Sequence, residues 1–440
     1  MKKIKMMIIK INKKNYGGKM RRPILILFIF LLFISFIYTN NKSLDAIEDK
    51  DKISIEGVVK DKIEKDKYDQ YKIEKYLVND YSKKLNIKIG KVVKINGSIK
   101  SLNKMSFDDF NYGRYVKSMG FKGIITAKYY KIKGDSKFYT FVGNTKTYLR
   151  DTFRYLYKDK SDFINSLILG QKENLSKEEK DMFSKTGTSH VIAISGLHTG
   201  ILCTMIAIII KGINKFYKLI ILTIVMILYS IMIGFSPSIS RSIVFVVIMY
   251  LAIFLEEKRD GICTLSLIGV FLIVNNPYII YNTSFQLSFL ATLSIIYFYK
   301  IINKHLKISI ISISLSANIL TLPIIYYVFE GIPVLFLIGN MIVVPVIGII
   351  MNLSIISVIL FRFSILISKI LAYLSKSIII MVYYLLDKLA GNKLAYIEIN
   401  NPKLFYVTFY YILIFWYMIY RELKIMKEQE NGLQGYYKEY

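Results

Sequence analysis

From His190 to Tyr420 the chain is mostly apolar, and this tract limits the possible folds more than any other feature. It divides into candidate spans at 190–210, 219–235, 242–255, 262–281, 284–299, 308–328, 332–361, 364–386 and 404–420. Segments of this length and hydropathy predict membrane helices, because hydrocarbon offers backbone groups no partner outside their own helix. Loop charge supports the alternation. Lys211, Lys215 and Lys218, then Lys258 and Arg259, then Lys300, Lys304 and Lys307, then Arg421 and Lys424 occupy alternate loops, while 236–240 and 329–331 carry no lysine or arginine. The positive-inside rule assigns the basic loops to the cytoplasm. One segment does not fit an upright helix: 332–361 is too long, and Asn340, Pro345 and Gly348 interrupt it. It reads either as one tilted helix or as two half-helices around a break lining a cavity.

Residues 1–22 hold nine Lys/Arg and no acid, and an apolar run from Pro23 to Tyr38 follows. No small-x-small cleavage site comes after it, so an uncleaved anchor is expected rather than a signal peptide. With it, ten spans and two cytoplasmic termini result. The expected organisation is a basic N-terminus (1–22), an anchor (23–39), an extracytoplasmic β domain (45–140), amphipathic surface helices (141–189), a polytopic domain (190–420) and a cytoplasmic tail (421–440). The fold class is a polytopic α-helical membrane protein with an N-terminal extracytoplasmic small β-barrel of OB-like type.

Sixty Lys+Arg against 31 Asp+Glu give a formal charge of +29 in a chain that is 54% hydrophobic. Codon bias accounts for abundant Lys, Ile, Asn and Tyr but not for the excess of Lys over Glu. The excess suits an anionic partner, either lipid headgroups or nucleic acid. Cys203 and Cys263 lie in apolar runs and read as packing residues, and His190, His198 and His305 are too few for a histidine-rich metal cluster. No cofactor is expected.

In the polar segment, Ile53–Lys60, Tyr71–Val78 and Val92–Lys100 alternate apolar and polar residues, with Gly57, Gly90 and Gly97 between them. This predicts a small antiparallel barrel. Asp108–Gly123 reads as a short helix and return. Residues 82–150 hold 16 Lys/Arg and three acids, interleaved with Phe107, Phe110, Tyr112, Tyr115, Phe121, Tyr129 and Tyr130. Cations neutralise phosphates and aromatic faces stack on unpaired bases. Candidate DNA contacts are therefore Lys91, Lys94, Arg114, Tyr115, Lys117 and Lys122; the alternative is that the aromatics fill the barrel core. Further on, Leu149, Phe153 and Leu156 share a helix face, and Ser176 with Glu179 forms a capping-box pattern.

Polar residues inside the apolar tract mark candidate mechanism. Ser195 and His198 are i, i+3 neighbours expected to share a helix face, with Gly196, Thr199 and Gly200 beside them. Close helix packing explains the small residues equally well, and a hydrogen-bonded core histidine explains His198. Arg241 starts a span, where it lines a path or snorkels to the headgroups.

Four runs carry a family resemblance. His190–Leu202 (His-Val-Ile-Ala-Ile-Ser-Gly-Leu-His-Thr-Gly-Ile-Leu) resembles the signature of the ComEC competence proteins, which carry transforming DNA across the bacterial inner membrane. Phe285–Thr292 (Phe-Gln-Leu-Ser-Phe-Leu-Ala-Thr), with Asn276-Pro277 upstream, is similar to a second family element. Pro237 with Arg241, and Leu322-Pro323 followed by Gly331–Pro345, resemble two more. Phe110, Tyr112, Tyr115, Gly120 and Gly123 match the end of the family's OB-like domain loosely, without its cysteine pair. The resemblance implies a channel importing DNA, as a single strand, with Ser195, Gly196, His198, Thr199, Arg241, Gln286, Ser288, Asn340 and Pro345 along the path. Longer members append a metallo-β-lactamase-like domain; here there is no His-x-His-x-Asp-His run, so a separate nuclease is expected. No Gly-x-x-x-x-Gly-Lys-Ser/Thr phosphate loop is present, so a cytoplasmic ATPase is expected as a partner, with a DNA receptor, membrane lipids and a homodimeric second copy. Two other classes remain open: a transporter of a small anion or lipid precursor, and an intramembrane hydrolase with Ser195 as nucleophile, which would need its base from another element.

Overall fold

Alternating residues between Lys50 and Asp135 build a closed barrel. In the computed structural model, which describes residues 22–41, 49–107, 110–234, 239, 243–244 and 260–438, a first helix α1 (Pro23–Asn41) leads into it. The strands are β1 (Lys50–Glu64), β2 (Asp69–Ile73), β3 (Tyr76–Asp80), β4 (Lys91–Lys100), the small pair β5 (Ser106–Phe107) and β6 (Phe110–Asn111), and, after helix α2 (Tyr112–Ser118), β7 (Gly123–Asp135). Five of them close in the order β1-β2-β3-β7-β4, with β3 parallel to β7 and the other pairs antiparallel. This is an OB-type barrel. Its interior is Val59, Tyr71, Ile73, Val78, Val93, Ile95, Ile99 and Ile125.

The expected strand over Tyr71–Val78 is a hairpin instead, turning at Glu74 and Lys75. Glu74 takes a left-handed φ of 47° and is held there by Lys60 Nζ at 2.8 Å and the Val58 amide. Local alternation does not distinguish a long strand from a hairpin; only strand pairing does.

Beyond the barrel come α3 (Lys137–Tyr157), α4 (Ser161–Leu169), α5 (Lys177–Lys185), α6 (Ser189–Ile192), α7 (Gly196–Ile209), α8 (Lys215–Ile233), α9 (Gly261–Asn275), α10 (Thr283–Leu306), α11 (Ser309–Val328), α12 (Phe336–Phe361), α13 (Ile365–Ala390) and α14 (Leu404–Lys438). Short strands β8 (Gly331–Pro333) and β9 (Tyr396–Glu398) pair between them. Among the described residues seven helices are long and apolar enough to cross a membrane; α7 and α9 are shorter. The expected span 242–255 lies almost wholly outside the described residues. The expected span 262–281 stops at Asn275, because Pro277 has no amide hydrogen to continue it and Asn276 is extended.

The alternative of two half-helices within 332–361 is overturned. After β8, α12 runs unbroken from Phe336 to Phe361 through Pro345. At ~1.5 Å per residue its 26 residues span about 39 Å, more than the ~30 Å of hydrocarbon, so a tilted helix accommodates it.

The surface-helix expectation also needs correction. α3 and α5 present one face each, with Phe153 buried and Leu149 and Leu156 packed beside it, but α4 is buried, Asn165 and Ser166 included, at every residue except the half-buried Asp162. It sits in a core made with α12 and α13. Serines let these two helices approach: Tyr157 donates to Ser354 Oγ at 2.8 Å, and Ser354 and Ser375 hydroxyls lie 3.2 Å apart. A second apolar core joins α1, α9 and α10 through Phe28, Leu265, Ile268, Phe285 and Phe289. At one end of this group Arg22 pairs with Asp260 at 3.1 Å and Glu422 at 3.6 Å, which brings the starts of α1 and α9 beside α14.

A buried ion triad ties the barrel to α3. Lys146 Nζ lies 2.8 Å from Asp61 Oδ1 and Lys72 Nζ 2.9 Å from Asp61 Oδ2, beside Gly234 just after α8. Burial alone would raise the Asp61 carboxyl, but the two ammonium groups outweigh it and hold it below the usual range. A depressed carboxyl contributes stability above its unfolded value of 3.8 and loses it as the pH falls through the folded value. Asp61→Asn leaves Lys146 buried without a counter-charge and is expected to cost about 3–5 kcal/mol. Scanning fluorimetry of the solubilised chain checks this: the melting temperature should drop, and D61L with K146M should recover most of it.

Candidate functional site

Two places in the fold collect the polar residues singled out above, and a third set is divided between them. The first is the start of α7. The chain breaks after α6, with Ala193 extended, and Ser195 takes the N-cap position with φ −128° and ψ 178°. Ser195 therefore precedes the helix and does not share its face with His198, as the spacing predicts. The two still meet. Ser195 Oγ lies 2.9 Å from His198 Nδ1, the Ser195 amide donates to the same nitrogen at 3.2 Å, and the Leu197 amide donates to Ser195 Oγ at 3.3 Å. Thr199 donates back to the Gly196 carbonyl at 3.0 Å. His198 is fully buried, and its Nε2 makes no hydrogen bond. Gly200 meets open space, so close packing does not explain that glycine.

α12 passes alongside. Gly348 is 3.8 Å from the Ile201 side chain, and Gly339 abuts the Thr186 carbonyl and Thr188. Gly187, left-handed at φ 69°, fits where any side chain would strike Phe336. Asn340 sits on this inner face, buried, with its Oδ1 unpartnered. Pro345 points outward from the same helix and is exposed. The start of α7 and Asn340 thus border one region, while Pro345 does not.

The second place is the seat of the barrel. The 3-10 turn Pro277–Tyr281 and the start of α10 receive α2. Asn276 Nδ2 donates to the carbonyls of Lys117 and Ser118 at 2.9 and 3.1 Å, and Asn282 Nδ2 donates to Ser118 Oγ at 3.2 Å. Arg114 donates to Asn40 at 2.9 Å and lies 4.8 Å over the Tyr281 ring. Gln286 donates to the Ile280 carbonyl at 2.7 Å, which holds the turn. Ser288 lies one turn along α10 and its carbonyl accepts from Thr292 at 2.9 Å. α10 packs on α1, α9 and α11, whereas α7 packs on α8 and α12. Gln286 and Ser288 therefore belong to the seat and not to the Ser195–His198 region. Arg241 lies outside the described residues.

The expected DNA contacts divide as well. Arg114, Tyr115 and Lys117 are on the docking helix α2, and Tyr115 stacks against Tyr112. Burial pushes the Tyr112 hydroxyl up to about 12 and raises that of Tyr115, so both rings are neutral at physiological pH. Lys91 is paired with Asp135 at 2.8 Å. Lys122 is exposed, and Lys94 is exposed on the outer barrel face, directly opposite Lys131 on β7. Tyr129, 63% exposed, stands across from Asn96 on that face, and Lys128, Tyr130 and Lys133 are exposed along the same strand. This β4–β7 ribbon is the accessible basic and aromatic surface. The alternation Lys128-Tyr129-Tyr130-Lys131-Ile132-Lys133 carries its signal, although no lysine of that strand stood among the candidates.

The family model described as Competence protein matches residues 167–424. The chain belongs to the ComEC family of competence proteins. Among curated proteins it is 25% identical over 269 residues to "ComE operon protein 3" of Bacillus subtilis (strain 168), covering 59% of this chain and 34% of that protein. It is also 26% identical over 157 residues to an uncharacterized protein of Aquifex aeolicus (strain VF5), covering 35% of this chain and 37% of the relative. The chain thus matches about a third of the length of these relatives. No solved structure matches it. The family region contains α7, α12 and the Asn276–Ser288 seat, while the whole barrel lies before it.

If the seat holds the barrel, Asn276→Ala with Asn282→Ala removes three hydrogen bonds to α2 together with the caps of the Pro277–Tyr281 turn and of α10, and is expected to cost about 2–4 kcal/mol for the seat contacts with about 1 kcal/mol more for each cap. Limited proteolysis of the barrel in membranes should then accelerate, and the thermal midpoint should fall.

Proposed function

We propose that this competence-family chain takes part in DNA uptake during transformation, as the membrane-embedded conduit through which a single strand enters the cell. The observation that carries the reading is the family match over the helical part, joined to a barrel whose outer face bears the β4–β7 cationic and aromatic ribbon. A strand bears one charge per phosphate and cannot cross hydrocarbon, so it needs a basic collector and a polar route. In this reading the ribbon collects the strand outside the cytoplasmic membrane, the Asn276–Ser288 seat fixes the barrel above the bundle, and the strand passes the start of α7 near Ser195, His198, Thr199 and Asn340. Both termini face the cytoplasm, since the basic residues 1–22 and the Arg22, Arg421 and Lys424 end belong on that side. Transport energy, strand degradation and capture at the cell surface come from a separate ATPase, nuclease and receptor, and a second copy completes the conduit.

The Ser195–His198 contact supports a cap more than a nucleophile. His198 Nδ1 is already occupied by the Ser195 amide, and no carboxylate stands on α6, α7, α8 or α12 to orient the ring. Labelling of Ser195 by a serine-directed phosphonate would reverse that reading. The import reading is tested by transformation frequency in a deletion strain of a related competent host re-expressing this chain. Lys94→Gln with Lys131→Gln should lower the slope of log affinity against log salt for a single-stranded oligonucleotide by about 1.4, at ~0.7 per phosphate contact. Tyr129→Ala should weaken binding by about 1–3 kcal/mol, the cost of one lost stacking face. Fluorescence anisotropy on the chain in nanodiscs reads both; unchanged binding in both variants would remove the ribbon from the path.

A further inference from the structure

The capping box at the start of α7 uses an unusual third residue. Such boxes ordinarily pair Ser or Thr at the N-cap with Glu or Gln three residues on. Here that place is taken by His198, whose Nδ1 accepts the Ser195 amide at 3.2 Å and lies 2.9 Å from Ser195 Oγ. A ring nitrogen accepts an amide hydrogen only when it carries no proton. The box therefore requires neutral His198 with its one hydrogen on Nε2, a tautomer set by the geometry.

We propose that His198 is a proton-sensitive latch on the start of α7: protonation turns Nδ1 from acceptor to donor, leaves the Ser195 amide facing another N–H, and releases the first turn of the helix. A glutamine or glutamate in this place would remain an acceptor. Protonated His198 can still donate to Ser195 Oγ, but the half-buried Ser195 amide then loses this partner. The surroundings offer little compensation: the Val191 carbonyl favours the charged ring, but no carboxylate of α6, α7, α8 or α12 faces it. α7 carries no other ionisable side chain except Cys203, and α12 carries none. α8 has Lys215, Tyr217 and Lys218 in its first turn and Tyr229 near its end. α6 contributes His190, the ionisable neighbour that bears on His198, and it is no counter-ion. α4, packed on α6, has Asp162 at its start, which faces Arg154 and Glu179. The positive end of the α7 dipole further opposes a charge on the ring. The latch is thus closed at neutral pH and opens as a single event on proton uptake. It rests on the proposed uptake reading only for its use, as a gate beside the path.

Hydrogen–deuterium exchange on the full chain in lipid nanodiscs tests it, at about pH 4 and about pH 7.5, the lower value set below the ordinary histidine range because burial and the α7 dipole oppose the charge, normalised to intrinsic rates. Peptides covering 195–199 should exchange about tenfold faster at the lower pH in wild type, the size expected for loss of one cap. His198→Gln keeps an acceptor that does not titrate and should show no pH response, whereas His190→Gln should respond as wild type does. Equal exchange at both pH values in wild type, or a wild-type response in His198→Gln, overturns the latch. Nitrogen-15 NMR of the wild-type histidine rings keeps the test independent of any variant's folding: a proton on Nδ1 of His198 at neutral pH also overturns it. None of these readouts involves DNA, so a latch that works while the ribbon variants bind DNA normally would sink the collector alone.

Discussion

A helix that begins in an apolar environment leaves its first amides without partners, and this chain answers that constraint with side chains. Ser195 and His198 cap α7, Asn214 caps α8, Asp260 caps α9, Asn282 caps α10 and Ser364 caps α13. Each supplies an oxygen or ring nitrogen to amides that the helix itself leaves unpaired; the Asn282 cap is buried and the Ser195–His198 cap half-buried, where a lost cap costs more than at the exposed caps Asn214 and Ser364. The polar residues scattered through the hydrophobic tract are first of all these caps. Their placement determines where each helix starts, and so which faces the helices offer one another.

Several caps have a second task. Asp260 also pairs with Arg22, linking α9 to α1. Asn282 accepts the Phe285 amide with its oxygen and holds Ser118 of the barrel with its nitrogen. Asn276 divides its amide in the same way between the Tyr278 amide and the end of α2. An amide side chain has both donor and acceptor, so one residue can end a loop, start a helix and hold a neighbouring domain. The barrel is fixed by these contacts on one side and by the Asp61 triad with α3 on another. Two separate attachments give it a defined orientation.

The electrostatic pattern follows from this seating. Basic residues that look equivalent along the sequence acquire different roles when the barrel docks. Arg114 stacks on Tyr281 and is used in the joint, Lys91 is neutralised by Asp135, and Lys146 is buried against Asp61. What is left on the outer face includes the run on β4 and β7, where Lys94 stands opposite Lys131 on one side and Glu56 of β1 on the other. Like charges held side by side are destabilising unless an anion joins them. Lys128, Lys131 and Lys133 with Tyr129 and Tyr130 on β7 outnumber that one carboxylate, and this excess is the physical basis of the proposed collector.

Much of the architecture is legible from the residues. Apolar length predicts α1, α8 and α10 to α14, alternation predicts a small barrel, and Ser176 with Glu179 predicts the capping box observed there at 3.0 and 3.1 Å. These are properties of a segment and its own backbone, so local sequence suffices. The hairpin at Glu74, the burial of α4 and the unbroken course of α12 through Pro345 are not local. They depend on which strand lies beside β2, on α12 and α13 covering α4, and on neighbours that hold a helix where one hydrogen bond is missing. The candidate site divides along the same line. Ser195 and His198 stand out in the sequence because polarity in an apolar run is costly. Only the packed structure separates Asn340, facing inward, from Pro345, facing outward, and moves Gln286 from a supposed path to the barrel seat. Sequence spacing specifies the face of a helix, but what that face meets is decided by the other helices around it.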